Sequence, residues 1–357
     1  MVNLTSLLAT FPNGAWENII RFFNNGLGNY ALAIIVITLC IKLLMLPIDY
    51  LNRRSSVKMT EVQQKIAPKM AEIQKKYPDK MVQNQKMQEL YQKEGFNPSG
   101  SCVTMLIVMG VTMFVFFSLF SGLNSMAAYK ITDQYEKLQA AYVQEYVMEK
   151  EGLTTEEEFN ELGLTYEQVG DYVIEISTNG TAEQTQAASA AVKKRYEEVR
   201  ESFLWIKNVW IADSPFQKAI PSFESYSSTA KLKLEDAEYD KAKQVYNVVM
   251  SDLMETEGVN GYFILAILAG ASAFLYQWLL TKSKKKKQNF YDQNNNQANQ
   301  TQQTNKAMLI ILPVIMTIFT LSYNAIFALY IIVGQLFGMA TAPLINKLLS
   351  LQKKDKK

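Results

Sequence analysis

NYALAIIVITLCIKLLMLPIDYL, residues 29–51, is an apolar run long enough to cross a bilayer. A hydrocarbon core about 30 Å thick takes roughly 20 helical residues rising 1.5 Å each. Inside the run lies one lysine, Lys42. A charged side chain at the centre of a spanning helix costs about 2.5–3.5 kcal/mol on insertion scales, so the ammonium should meet water, a polar cavity or an opposite charge. A lysine stem near a membrane exit can also snorkel to the headgroups, and Pro47 marks such an exit about 7 Å further along. The segment by itself leaves both readings open.

Working outward, residues 1–28 contain AWENIIRFF, in which Trp16, Ile19, Ile20 and Phe23 recur at helical spacing opposite Glu17 and Arg21. That pattern predicts a short helix lying in the membrane surface. No Lys or Arg precedes Arg21, so a secretory signal's basic start is not expected. On the other side, residues 52–96 carry ten Lys or Arg against five acids. Val62, Ile66, Met70, Ile73 and Tyr77 recur every three or four residues, Pro78-Asp79 interrupts them, and Met87, Leu90 and Tyr91 resume the pattern. This is a basic helical hairpin turning at Tyr77, Pro78 and Asp79, with an apolar stripe too narrow for a large core.

Asn97-Pro98-Ser99-Gly100 ends the hairpin, and further apolar runs occupy 103–123, 260–281, 307–322 and 325–345. With the first, they predict five spans in an all-α integral membrane protein. Residues 124–259 hold 25 acids and 13 bases, net −12, which leaves 9 acids and 23 bases, net +14, in the remainder; the sum is the chain's +2. The acidic part is expected to be a largely helical insertion outside the cell. Within it FLWIKNVWIADSPF, 203–216, is aromatic enough to return to the membrane surface. Residues 282–306, a Lys cluster followed by an Asn/Gln-rich stretch, read as a disordered loop, and 346–357 as a basic tail.

Five spans put the basic hairpin, the Lys cluster and the tail on one side. Short basic segments stay cytoplasmic, which sets the N-terminus outside and the C-terminus inside. The chain has no histidine, and its two cysteines, Cys40 and Cys102, sit in or beside apolar runs. His-dependent catalysis, Cys/His metal sites and a disulfide-stapled domain are therefore not expected, and no cofactor or metal is called for. The acidic clusters lack the spacing of an EF-hand loop.

The order of these pieces resembles the YidC-type membrane protein insertases, which have relatives in mitochondria and chloroplasts. The resemblance is carried by Gly28-Asn29-Tyr30 leading into LAIIVITLCIKLLMLP, by SSVKM, by QQKIAPKMAEIQKKYPDK and QELYQKEGFNP in the hairpin, by SGSC, by FLWIKNVWIADSPF, and more weakly by ALYIIVGQ at 328–335. It implies five core spans around a hydrophilic groove with a positive residue on the first span. The family usually has arginine where this chain has Lys42. Val108-Met109-Gly110, Tyr323-Asn324-Ala325 and Ile331 also depart from its pattern, and the insertions near 127–202 and 225–259 lie outside its minimal core.

The resemblance makes the expected function a non-enzymatic insertase of the bacterial plasma membrane. Polar segments of nascent membrane proteins would enter the groove while their apolar helices pass to lipid. Groove contacts are expected from Lys42, Gln277, Gln335, Asn324, Thr317 and Ser118, although ordinary interhelical hydrogen bonding accounts for all but the first equally well. Hairpin contacts are expected from Arg53, Arg54, Lys58, Tyr77, Pro78 and Asp79. The ribosome, a Sec-type channel and membrane lipids are the further expected partners, with no direct nucleic-acid recognition. Two other readings stay open: a small-solute transporter using Lys42, and a membrane-anchored interaction protein using the acidic outer region. No repeat relates the two halves, which disfavours the former.

Overall fold

The helix that carries Lys42 continues well past the end of its apolar run. In the computed structural model, which describes the backbone of residues 11–93, 98–288 and 296–354, α1 (Ala15–Leu27) is followed by α2 (Tyr30–Lys76), 47 residues unbroken through Pro47 and Pro68. Composition shifts sharply near residue 51, yet the backbone hydrogen bonding does not, because the polar half is itself a good helix former. The hairpin then turns where the sequence places it. Asp79 Oδ1 accepts from the Met81 amide (2.8 Å) and caps α3 (Lys80–Lys93), and Tyr91 OH reaches Met70 Sδ (3.8 Å) across the two arms.

Helix α4 (Pro98–Glu151) likewise joins an apolar run to the acidic region without a break. Short α5 (Glu156–Glu161), α6 (Tyr166–Asn179) and α7 (Ala182–Val199) follow, each started by a capping box: Thr155 with Glu158, Thr165 with Gln168, Thr181 with Gln184. After a stretch without helix come α8 (Phe223–Ala230) and α9 (Asp236–Thr256), then α10 (Ile264–Gln288), α11 (Asn296–Ser322) and α12 (Ala325–Lys354). In the segment expected to be a disordered loop, α10 therefore runs to Gln288 and α11 starts at Asn296. Residues 289–295 lie outside the described residues.

The protein is all-α and multi-pass. Among the described residues three helices are long and apolar enough to cross a membrane, Tyr30–Lys58, Leu106–Glu151 and Ala325–Gln352; shorter apolar stretches, Ile264–Leu280 and Leu309–Ser322, lie within α10 and α11.

The chain divides into two compact units. The first is drawn from Met1–Ile34, Leu119–Ala266 and Thr320–Ala328. Its core is aromatic: Tyr135, Phe223, Tyr226 and Tyr246 are buried, with Tyr226 and Tyr246 stacked at 4.8 Å and Tyr135 4.9 Å from Tyr246. Glu17, expected on the polar face of α1, is buried beside Ile20, while Phe22 on the same helix is exposed. The second unit is drawn from Ile35–Ser118, Ile267–Phe319 and Leu329–Lys357.

Within the first unit the stretch 200–222 ties helix ends together. Asn29 Nδ2 donates to the Ser202 carbonyl (3.3 Å) just ahead of α2. The amides of Ala325 and Ile326, at the start of α12, donate to the carbonyls of Ile211 (3.0 Å) and Val209 (3.2 Å). Asp213 accepts from the amides of Tyr262 (2.7 Å) and Leu265 (2.6 Å) at the start of α10, so its carboxylate satisfies donors that a helix N-terminus leaves free. Helices α2, α10 and α12 thus begin at one place.

Candidate functional site

The polar positions of the apolar half of α2 fall on one line. Thr38, Lys42, Met45, Asp49 and Arg53 follow one another at spacings of four and three, the repeat that stacks side chains on one helix face. Thr38 and Met45 are buried and Lys42, Asp49 and Arg53 half-buried, whereas Leu39, Cys40, Leu43 and Leu44 are exposed on another face. The lysine thus shares a face with a carboxylate and a guanidinium. Lys42 and Asp49 are close enough to interact electrostatically, as is the Tyr276 hydroxyl of α10 with each of Asp49 and Arg53.

Helix α12 closes on this face. A Cβ added to Gly334 would lie 3.1 Å from Lys42 Cε and 3.7 Å from its Nζ, so the stem of Lys42 lies across bare backbone. Further along, Arg53 Nε donates to Asn346 Oδ1 (3.0 Å) and Tyr50 OH to Gln352 Oε1 (2.8 Å). From Lys42 to Arg53 and from Gly334 to Asn346 the two helices advance together, so they run parallel. Tyr276 reaches the same helix, its ring 2.9 Å from where a Cβ on Gly338 would sit.

The remaining expected residues are distributed differently. Gln335 is half-buried and follows Gly334, and Gln277 is half-buried and follows Tyr276. Thr317 donates to the Pro313 carbonyl of its own helix (2.9 Å), so its hydroxyl proton is used within α11. Asn324 is buried and its Oδ1 accepts from the Phe327 amide (3.0 Å), making it the N-cap of α12. Ser118 is half-buried on α4. In the hairpin, Arg54 and Lys58 are exposed, as are Pro78 and Asp79, with Tyr77 half-buried. Asp49, Tyr276, Gly334 and Asn346 were not anticipated. Asp49 had a signal, because it lies seven residues after Lys42 and four before Arg53; the other three depend on which helices meet, which periodicity does not reveal. Among the described residues no group of three or more His, Cys, Asp or Glu could hold a metal ion.

Fold and site together define a polytopic helical membrane protein in which one spanning helix presents a row of charged and polar side chains to a parallel neighbour. The chain belongs to the 60Kd inner membrane protein family, whose model matches residues 22–354. It is similar to the membrane protein insertase YidC of Geobacter sulfurreducens, with 40% identity over 104 residues, which are 29% of this chain and 18% of that protein. Similarity to the YidC of Oceanobacillus iheyensis is 38% over 103 residues, 29% of this chain and 40% of the relative. For that of Clostridium perfringens it is 36% over 104 residues, 29% and 42%. The matched stretch spans less than half of each of these relatives.

Proposed function

We propose that this chain is a membrane protein insertase of the bacterial plasma membrane, with five spans, its N-terminus outside and its C-terminus in the cytoplasm. The observation that carries the reading is the placement of Lys42: an ammonium held inside an apolar helix, half-buried, on the same face as Asp49 and Arg53, and flanked by bare backbone at Gly334. Keeping a charge at that depth costs about 2.5–3.5 kcal/mol, a cost that a solvated or substrate-filled notch offsets. The polar or acidic tail of a nascent membrane protein enters from the cytoplasm and meets Lys42. Its apolar segment slides into lipid along the neighbouring helices, driven by burial in hydrocarbon. No covalent step is required. Gln277 and Gln335, next to Tyr276 and Gly334, are the secondary polar contacts, and the basic hairpin with Arg53, Arg54 and Lys58 receives the chain, delivered by a ribosome or a Sec-type channel.

The orientation rests on the segregation of charge, net −12 in 124–259 against +14 elsewhere. Replacing Lys42 by Ala and by Arg, and measuring insertion of a single-span substrate with a short acidic tail, tests the reading. Loss with Ala and retention with Arg are expected; equal insertion by the Ala variant and the parent overturns it.

A further inference from the structure

The segment that collects the starts of α2, α10 and α12 exposes side chains that have no business in water. Leu204 is 73% exposed, Phe216 88% and Tyr262 61%. Leu204 is also held at φ +53, a left-handed conformation that glycine adopts freely and that crowds a Cβ. It stands at the tip of a tight turn closed by reciprocal bonds between the backbones of Phe203 and Ile206, both 2.9 Å. A strained backbone presenting a bare leucine is accounted for by something that the leucine touches.

Three further observations identify what that is. First, Phe216 packs edge-on against Phe263 (5.5 Å), which immediately precedes α10 and itself has φ +64, so the exposed ring sits at the very start of an apolar helix whose next residue, Ile264, is exposed too. Second, Ser202, two residues before Leu204, holds Asn29 at the start of the helix bearing Lys42. Third, the segment's lysines are drawn the other way: Lys207 donates to the Glu257 carbonyl and Lys218 to the Met254 carbonyl, at the C-terminal end of α9. The cations bond toward α9, while Leu204 and Phe216 are exposed near where apolar helices begin. Aromatic and leucine side chains at that level match the boundary between headgroups and acyl chains.

We infer that Leu204 and Phe216 are immersed in the bilayer surface on the side where α2, α10 and α12 begin, making 203–216 a lipid-docking ledge that sets the height of those helices. The occupant is the lipid surface, and this holds whether or not the chain is an insertase.

The test uses the full chain with Cys40→Ser and Cys102→Ser, in lipid nanodiscs, carrying a nitroxide on a cysteine placed at 204, at 216, or at the exposed Glu183 on α7 as a water reference. Collision with oxygen is compared with collision with a water-soluble nickel chelate. The oxygen-to-nickel accessibility ratio is expected to be several-fold higher at 204 and 216 than at 183. A ratio equal to the reference places the side chains in water, and protection from both reagents places them against protein; either overturns the inference. Leu204→Gly, which suits the positive φ and keeps the turn, should lower the ratio of the label at 216. An unchanged ratio there removes Leu204 from the ledge.

Discussion

Gly334 and Lys42 face each other across two parallel helices, with the lysine stem so close that a Cβ on residue 334 would lie 3.1 Å from Cε. Alanine at 334 asks a flexible side chain to give by a few tenths of an ångström. Leucine adds methylenes that have no room, at a typical cost of about 1–3 kcal/mol, and moves the ammonium. Displacing the ammonium should lower insertion by Gly334→Leu several-fold, and insertion by Gly334→Ala only slightly. In a Lys42→Ala background the Leu change should add little, because the group it displaces is gone; full additivity in an insertion assay would show that position 334 acts by another route.

A second pair holds the start of the lysine-bearing helix to the acidic domain. Lys130 Nζ lies 2.9 Å from Glu201 Oε1 with the two side chains 15% and 23% exposed, and 4.4 Å over the Tyr30 ring; Trp210 Nε1 donates to the other carboxylate oxygen (2.6 Å). Removing one member of a fully buried pair strands the other and costs about 3–5 kcal/mol, less where, as here, both side chains keep some contact with solvent, whereas replacing both is often close to neutral. Lys130→Met should therefore lower the thermal midpoint markedly, and adding Glu201→Gln, which still accepts from Trp210, should recover part of the loss. A double variant no more stable than Lys130→Met would mean that the pair's charge is not what matters.

How much of this was legible in the sequence follows from what each feature depends on. The helix break at Tyr77-Pro78-Asp79 depends on a few adjacent residues, so local chemistry reveals it; the capping boxes at Thr155, Thr165 and Thr181 are equally local, but it is the structure that brings them out. That Thr38, Lys42, Asp49 and Arg53 share one helix face follows from spacing, but the half-buried setting of that face depends on what packs against it. The partner surface was not legible: Gly334 and Asn346 sit some 290 residues away along the chain, and their relevance appears only when α12 meets α2. Asn324 shows the opposite limit. An asparagine beside an apolar run looks like a polar contact, yet its position one residue before α12 gives it a helix cap to form instead.

Acid should loosen the acidic domain around α8 through Glu224, whose carboxyl is pulled down to about 2 by its hydrogen bonds to Lys243 and at the start of α8. A depressed carboxylate contributes stability that is present above its unfolded value near 4.5 and is lost as pH falls toward 2. Amide exchange along α8 should accelerate across that window, and Glu224→Gln should flatten the pH dependence. An unchanged slope in the Gln variant would assign the acid sensitivity to other carboxylates.

The start of α10 depends on one carboxylate and one missing side chain. Asp213 accepts from the amides of Tyr262 and Leu265, and Gly261 leaves it room, since a Cβ there would lie 1.9 Å from Oδ1 and 3.0 Å from the Asp213 backbone. Loss of a capping side chain costs about 0.5–2 kcal/mol. Asp213→Ala should cost toward the upper end, because its bond to the Leu265 amide is buried and that to Tyr262 part-buried. Gly261→Ala should cost as much or more, because the added methyl meets backbone as well as the carboxylate that must stay. Combining the two changes should cost less than their sum, as the methyl then occupies the space that the carboxylate vacated. Unfolding midpoints of the two single variants and the double variant measure this directly, and strict additivity would show that Gly261 serves the chain in some way unconnected with Asp213.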